Sequence, residues 1–143
     1  MDSEQKVNLQ WGEFQNNIQA SFCQLRKTDT FCDVTLVAED GQQIMAHRVI
    51  LSASSPVFEQ ILKQNNHPKP LIYMKGTKGS YLNGLVDFIY KGEVDIHHGD
   101  LKDFLEIDAE LKIKGLTKEV SPNESQEVAT KKLENIHHGN DIR

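Results

Sequence analysis

The amino-acid sequence predicts an α+β domain, because helical and strand patterns follow one another along a chain of 143 residues. Residues 9–26 repeat apolar side chains every three or four positions, which is typical of an amphipathic helix. Residues 31–38 are rich in β-branched and apolar types, and residues 42–46 can return beside them after the turn signal Asp40-Gly41. After this hairpin we expect two helices, a strand, a helix, a strand and a last helix.

The first helix carries a large apolar stripe for a segment near a chain end. Its members are Trp11, Phe14, Ile18, Phe22 and Leu25. Periodicity alone leaves two interpretations open: the stripe covers the core of its own domain, or it is a seam between two copies. Val7 and Leu9 alternate with polar residues before the helix and predict a short extended arm.

Two short helices are expected after the hairpin. Residues 48–53 predict a buried helix, and Ser54-Ser55-Pro56 then offers a capping serine and a proline for the first turn of the next helix. We expect the buried face of that helix to carry Phe58, Ile61 and Leu62.

The second half of the domain continues the alternation of helices and strands. Residues 71–74 predict a short strand, and Ser80 is expected to cap a helix that ends at Gly92. Residues 93–96 alternate and predict a further strand, at a sheet edge. Asp100 is expected to cap the last helix. The apolar residues of that helix are Leu101, Phe104, Leu105 and Leu111.

The composition argues against several classes of protein and indicates where the folded domain ends. The net charge is −5 and the lysines are scattered, which disfavours direct binding to nucleic acid. The longest apolar run has four residues, at 71–74, so we expect neither a membrane span nor a secretory signal. Residues 118–143 shift to polar and charged types and predict a disordered tail, and residues 1–6 predict a flexible N-terminus.

Enzyme chemistry finds no support in the residue patterns. Cys23 and Cys32 stand nine residues apart, which is not a zinc-binding spacing, and both are expected to be free thiols. The phosphate-binding glycine motifs do not occur, and the adjacent histidine pairs lack the spacing that favours chelation. We therefore predict no catalytic site, metal or cofactor. We expect five carboxylates on the solvated face of the last helix: Asp100, Asp103, Glu106, Asp108 and Glu110.

The motifs resemble a known family. The segment FCDVTLVAEDGQQIMAHRVILSASSPVFEQIL, residues 31–62, is similar to the core signature of the BTB/POZ domain. LIYMK at 71–75, LVDFIYKGEVDI at 85–96 and LKIKGL at 111–116 continue the resemblance in the same order, so that it covers residues 7–117. The front end, VNLQWGEFQNN at 7–17, is similar to the leading motif of the insect tramtrack-type subgroup.

The resemblance implies a helical cluster flanked by a small mixed sheet, and a dimer with an exchanged N-terminal arm. The first helix would form the two-fold interface, and the arm would add a strand beside residues 93–96 of a second copy, which hides a sticky edge. The implied interface residues are Val7, Leu9, Trp11, Phe14, Ile18, Phe22, Val94 and Ile96. Asp33 and Arg48 match the acidic and basic positions of a charged pocket at that interface.

The implied function is protein–protein interaction in a transcription or chromatin regulator of the nucleus. The expected partners are a second copy, in a dimer or a higher multimer, other BTB proteins including zinc-finger transcription factors, and corepressors. The alternative is a substrate adaptor of a cullin-3 ubiquitin ligase. The absence of a kelch-like or MATH-like segment in residues 1–143 argues against that alternative.

Overall fold

The computed structural model describes residues 5–116, so the predictions for residues 1–4, Thr117 and the tail 118–143 lie outside the described part. Its helices are α1 (Phe14–Lys27), α2 (Arg48–Ser54), α3 (Pro56–Lys63), α4 (Gly79–Lys91) and α5 (Leu101–Leu111). Its strands are β1 (Val34–Ala38), β2 (Gln43–Ala46) and β3 (Leu71–Met74), and one 3-10 turn spans His98–Asp100. The predicted α+β class is confirmed.

The sheet has the strand order β2-β1-β3 and mixes the two strand directions. β1 pairs antiparallel with β2 and parallel with β3, so that Leu36 lies opposite Ile44 on one side and opposite Ile72 on the other. The predicted hairpin is confirmed, and Gly41 adopts φ +90° in its turn. Every second residue of β1 is buried, which turns one face of the sheet toward the helices.

The core lies between that inner face and the helices. Ile61 was expected on the buried face of α3, but this prediction is wrong, because its side chain is 39% exposed on the outer side of the helix. The largest fully buried apolar side chains are Phe58, Leu36, Leu51, Leu82, Leu85, Ile113, Val34 and Val86.

The ends of α3 and α4 follow capping chemistry. Ser55 is the N-cap of α3 and its side chain accepts the N–H of Phe58 at 3.1 Å, as predicted. Gly92 ends α4 with φ +80°, also as predicted. Ser80 does not cap α4, because the helix begins one residue earlier, at Gly79. Asp40 of the hairpin turn instead accepts the N–H of Gly79 at 3.1 Å.

Three predictions for the second half are corrected. Asp100 precedes α5, but its carboxylate accepts the hydroxyl of Tyr81 at 3.1 Å and does not cap the helix. Residues 93–96 form no strand within the described chain. Asp108 is 1% exposed and not solvated, because the spacing of α5 places it on the same face as Phe104 and Leu111.

Between residues 5 and 116, no helix combines the length and the hydropathy that crossing a membrane requires.

Candidate interaction surface

The predicted apolar stripe of α1 faces solvent. None of the residues of α1 is buried, and Phe14 and Phe22 are 51% and 40% exposed. Trp11 is 57% exposed, and its ring contacts that of Phe14 edge-on with centroids 5.0 Å apart. Ile18 is half-buried. Clustered apolar surface of this kind marks an interaction site in most soluble proteins.

The stripe faces outward because the opposite flank of α1 is fixed to α4. Arg26 donates to Asp87 at 2.6 Å, and its guanidinium lies 4.8 Å from the ring centre of Tyr90. Gln19 Nε2 donates to the carbonyl of Lys91 at 3.1 Å. These contacts hold one flank of α1 against α4, while about half of each phenylalanine on its aromatic flank stays exposed.

The segment before α1 is exposed. Val7 and Leu9 are 81% and 88% exposed and belong to no helix or strand in the described chain. The prediction that the helix includes Trp11 is wrong, since α1 begins at Phe14. Glu13 adopts φ +59°, a left-handed conformation that breaks the helix before this point.

Residues 93–96, the predicted counterpart of the arm, run over the core. Val94 and Ile96 are half-buried and their neighbours are exposed, so the alternation expected from the sequence is present in the burial. Gly84 of α4 allows this approach, because a Cβ at this position would lie 3.3 Å from Ile96 Cδ1. The pairing of the arm with this segment of a second copy stays a prediction.

Asp33 and Arg48 lie together. Arg48 Nε donates to Asp33 Oδ2 at 3.0 Å, and the backbone N–H of Arg48 donates to Asp33 Oδ1 at 2.7 Å. Both side chains are about one-third exposed, with values of 35% and 36%, so the pair lies at the surface. Its place at a dimer interface stays a prediction.

His47 is the buried polar centre beside this pair. Its Nε2 lies 2.9 Å from the carbonyl of Thr30, which can only accept, so Nε2 carries the proton and Nδ1 accepts. The hydroxyl of Tyr90 therefore donates to Nδ1 at 2.6 Å, and it accepts the backbone N–H of His47 at 2.9 Å. No sequence pattern pointed to Tyr90 as the partner of His47, because the two residues lie 43 positions apart.

The environment of Tyr90 and Cys32 favours the protonated form of both groups. Burial is the main cause that raises the pKa of Tyr90 to about 12. Burial, followed by the charges of Asp29 and Asp33, also raises the pKa of the Cys32 thiol. In the part of the chain that the structure describes, no group of three or more His, Cys, Asp or Glu side chains could hold a metal ion.

Between residues 5 and 116, a small mixed sheet under five helices, with an exposed apolar stripe at the start of and along the first helix, defines an interaction domain of the α+β class. The BTB/POZ domain family matches residues 22–127, and the chain belongs to this family. The fold agrees, since the BTB domain of zebrafish PATZ1 superposes with a TM-score of 0.72 at 19% identity over 88% of this chain and 99% of that one.

Similar proteins of Drosophila melanogaster include the sex determination protein fruitless, 41% identical over 114 residues and 80% of this chain. Longitudinals lacking protein-like is 40% identical over 116 residues and 81% of this chain. The chain spans 12% of fruitless but 91% of Longitudinals lacking protein-like. Protein tramtrack is also among the similar proteins, which confirms the resemblance to the tramtrack-type subgroup.

Proposed function

We propose that this chain is the homo- and hetero-oligomerisation domain of a transcription or chromatin regulator. The observation that carries the proposal is the exposed stripe of Phe14 and Phe22 on α1, with Trp11 packed against Phe14 just before the helix, while the other flank of α1 is fixed to α4. A second copy would cover this stripe and remove its apolar area from water. The similarity to Drosophila BTB proteins supports a role in transcription and does not favour the cullin-3 adaptor.

The arm extends the same surface. Val7 and Leu9 would pair with residues 93–96 of the second copy, where Val94 and Ile96 already face the core. Backbone bonds across the interface would give residues 93–96, which form no strand in the described chain, a partner strand. Asp33 and Arg48 would lie in a charged pocket close to this interface.

The proposed partners and cellular location follow from the family. The partners would be further copies of this chain, other BTB proteins including zinc-finger transcription factors, and corepressors, in the nucleus. The net charge of −5 supports action through proteins and not through direct contact with nucleic acid.

Light scattering on a sizing column tests the proposal with the full chain. We expect a dimer or a larger assembly for the natural sequence and a monomer for Trp11→Ala/Phe22→Ala. Lys27→Ala, an exposed change on the same helix outside the stripe, is the control and should keep the natural mass. A monomeric natural chain at micromolar concentration would contradict the proposal.

A further inference from the structure

A groove runs beside β2 on the side away from the seam. Its volume is about 450 Å³, within the usual range for ligand sites. The residues of α1 that line it lie outside the apolar stripe, so the groove does not depend on the surface assigned to self-association. The lining residues are Cys23, Arg26, Lys27, Asp29, Gln43, Ile44, Met45, Asn83 and Lys91.

The floor of this groove is an open strand edge. β2 is the last strand of the order β2-β1-β3, so only one of its sides is paired. Gln42 accepts the N–H of Ala38 at 2.8 Å, and along an antiparallel ladder such bonds recur at every second residue. Ile44 and Ala46 therefore point their backbone groups at β1, while those of Gln43 and Met45 point into the groove. Within residues 5–116 nothing pairs with these outward groups.

The charges around the groove favour an acidic occupant. Arg26 is paired with Asp87 at 2.6 Å, so these two charges largely cancel. Lys27 and Lys91 form no ion pair in the described part of the chain, and Asp29 is the only carboxylate among the lining residues. The uncompensated charge at the rim is therefore positive.

We propose that this groove binds an extended, acidic segment of a partner protein, which adds to β2 as a fourth strand. The segment would exchange backbone hydrogen bonds with Gln43 and Met45 and place carboxylates near Lys27 and Lys91. A strand rises about 3.3 Å per residue, so three or four residues fit along this edge. A second folded copy fits less well in this groove, because its own β2 is flanked by its own α1 and α4.

Two variants separate the contributions of the backbone hydrogen bonds and of the charges to binding of the segment. Gln43→Pro removes one outward N–H at the first residue of β2 and leaves the bonds between β1 and β2 intact, since proline is tolerated at this place in an edge strand. Lys27→Glu/Lys91→Glu reverses the charge of the rim. Lys102→Glu, an exposed change on α5, is the matched control. A thermal melt of each variant verifies folding.

The probe is a library of random twelve-residue peptides displayed on phage and selected against the full chain. We expect acid-rich peptides to be enriched over selection without target. We expect Gln43→Pro and the lysine double variant each to bind them about tenfold more weakly, with no change for Lys102→Glu. Amide exchange by NMR should show new protection at Gln43 and Met45 when peptide is bound.

Any one of four outcomes would overturn the proposal. No peptide is enriched, the enriched peptides bind Gln43→Pro as tightly as the natural chain, or protection appears elsewhere than in β2. Protection of Gln43 and Met45 that rises with the concentration of the chain alone would assign the edge to a second copy and would also overturn it. Loss of the dimer in Trp11→Ala/Phe22→Ala would leave peptide binding intact, so the two proposals can fail separately.

Discussion

Asp33 caps a helix that begins fifteen residues after it. Its Oδ1 accepts the N–H of Arg48, the first residue of α2, at 2.7 Å, while its Oδ2 accepts from the Arg48 side chain at 3.0 Å. His47, at the N-cap position, makes no side-chain cap. The carboxylate therefore satisfies an open N–H and places negative charge at the positive end of the helix.

We expect the helix cap by Asp33 to contribute more to the free energy of unfolding than the ion pair between Asp33 and Arg48. Asp33→Ala removes both and should lower the free energy of unfolding by about 1–2 kcal/mol. Arg48→Ala keeps the backbone bond and should cost less than about 1 kcal/mol, because the pair is one-third exposed and screened by water. Urea unfolding of both variants and of the double variant measures the coupling. Equal losses for the two single variants would contradict this ranking.

A second prediction concerns alkaline pH. The folded state raises the pKa of Tyr90 from 10 to about 12, so between these values it keeps a proton that the unfolded chain has released. Stability must therefore fall as pH rises from 10 to 12, by roughly 2–3 kcal/mol from this group. Tyr90→Phe should flatten that fall when unfolding is followed at each pH.

The same variant should be less stable at neutral pH. Removing the hydroxyl leaves Nδ1 and the backbone N–H of His47 without their partner in a buried site, at a cost of about 1–3 kcal/mol. Tyr73→Phe, at a position that is 56% exposed, is the matched control. It should change neither the stability at neutral pH nor the loss of stability between pH 10 and 12. An alkaline profile of Tyr90→Phe identical to that of the natural chain would contradict the assignment.

A third prediction concerns Ser55, which joins two helices. Its Oγ accepts the N–H of Phe58 at 3.1 Å and donates to the carbonyl of Leu111 at the end of α5, at 2.5 Å. Ser55→Ala should lower the free energy of unfolding by about 2 kcal/mol. Ser54→Ala removes only a hydroxyl bonded back to Ile50 within α2, and its effect should be near zero. Equal denaturation midpoints for the two variants would contradict the role of Ser55.

The features predicted from sequence are those that local chemistry determines. The hairpin follows from the turn at Asp40-Gly41 and the alternation on both sides of it, and the caps at Ser55 and Gly92 follow from their own side-chain and backbone preferences. The stripe of α1 was found for the same reason. Periodicity shows which residues share a face, but it does not show whether the chain itself covers that face.

Several features that the sequence did not reveal depend on contacts between residues distant in sequence. Tyr90 reaches His47 across 43 positions, and Asp40 holds the start of α4 from the hairpin turn. The charge of Asp108 suggested solvent, although its spacing relative to Phe104 and Leu111 on α5 indicated burial. At Asp108 the residue type predicted exposure and the spacing predicted burial, and the prediction from spacing was correct.

The last prediction tests the arm. Leu9 is 88% exposed in the described chain, so replacing it should not disturb the fold of one copy. If a second copy covers Leu9, the replacement removes the apolar contacts that Leu9 makes across the interface. We expect Leu9→Asp to weaken self-association by about tenfold or more, because the change places a charge in an apolar seam. Gln10→Asp adds the same charge to the neighbouring exposed residue, which an extended arm turns to the opposite side. Sedimentation equilibrium compares the two dissociation constants. Equal constants would show that the arm makes no side-specific contact, and the assembly would then rest on α1 alone.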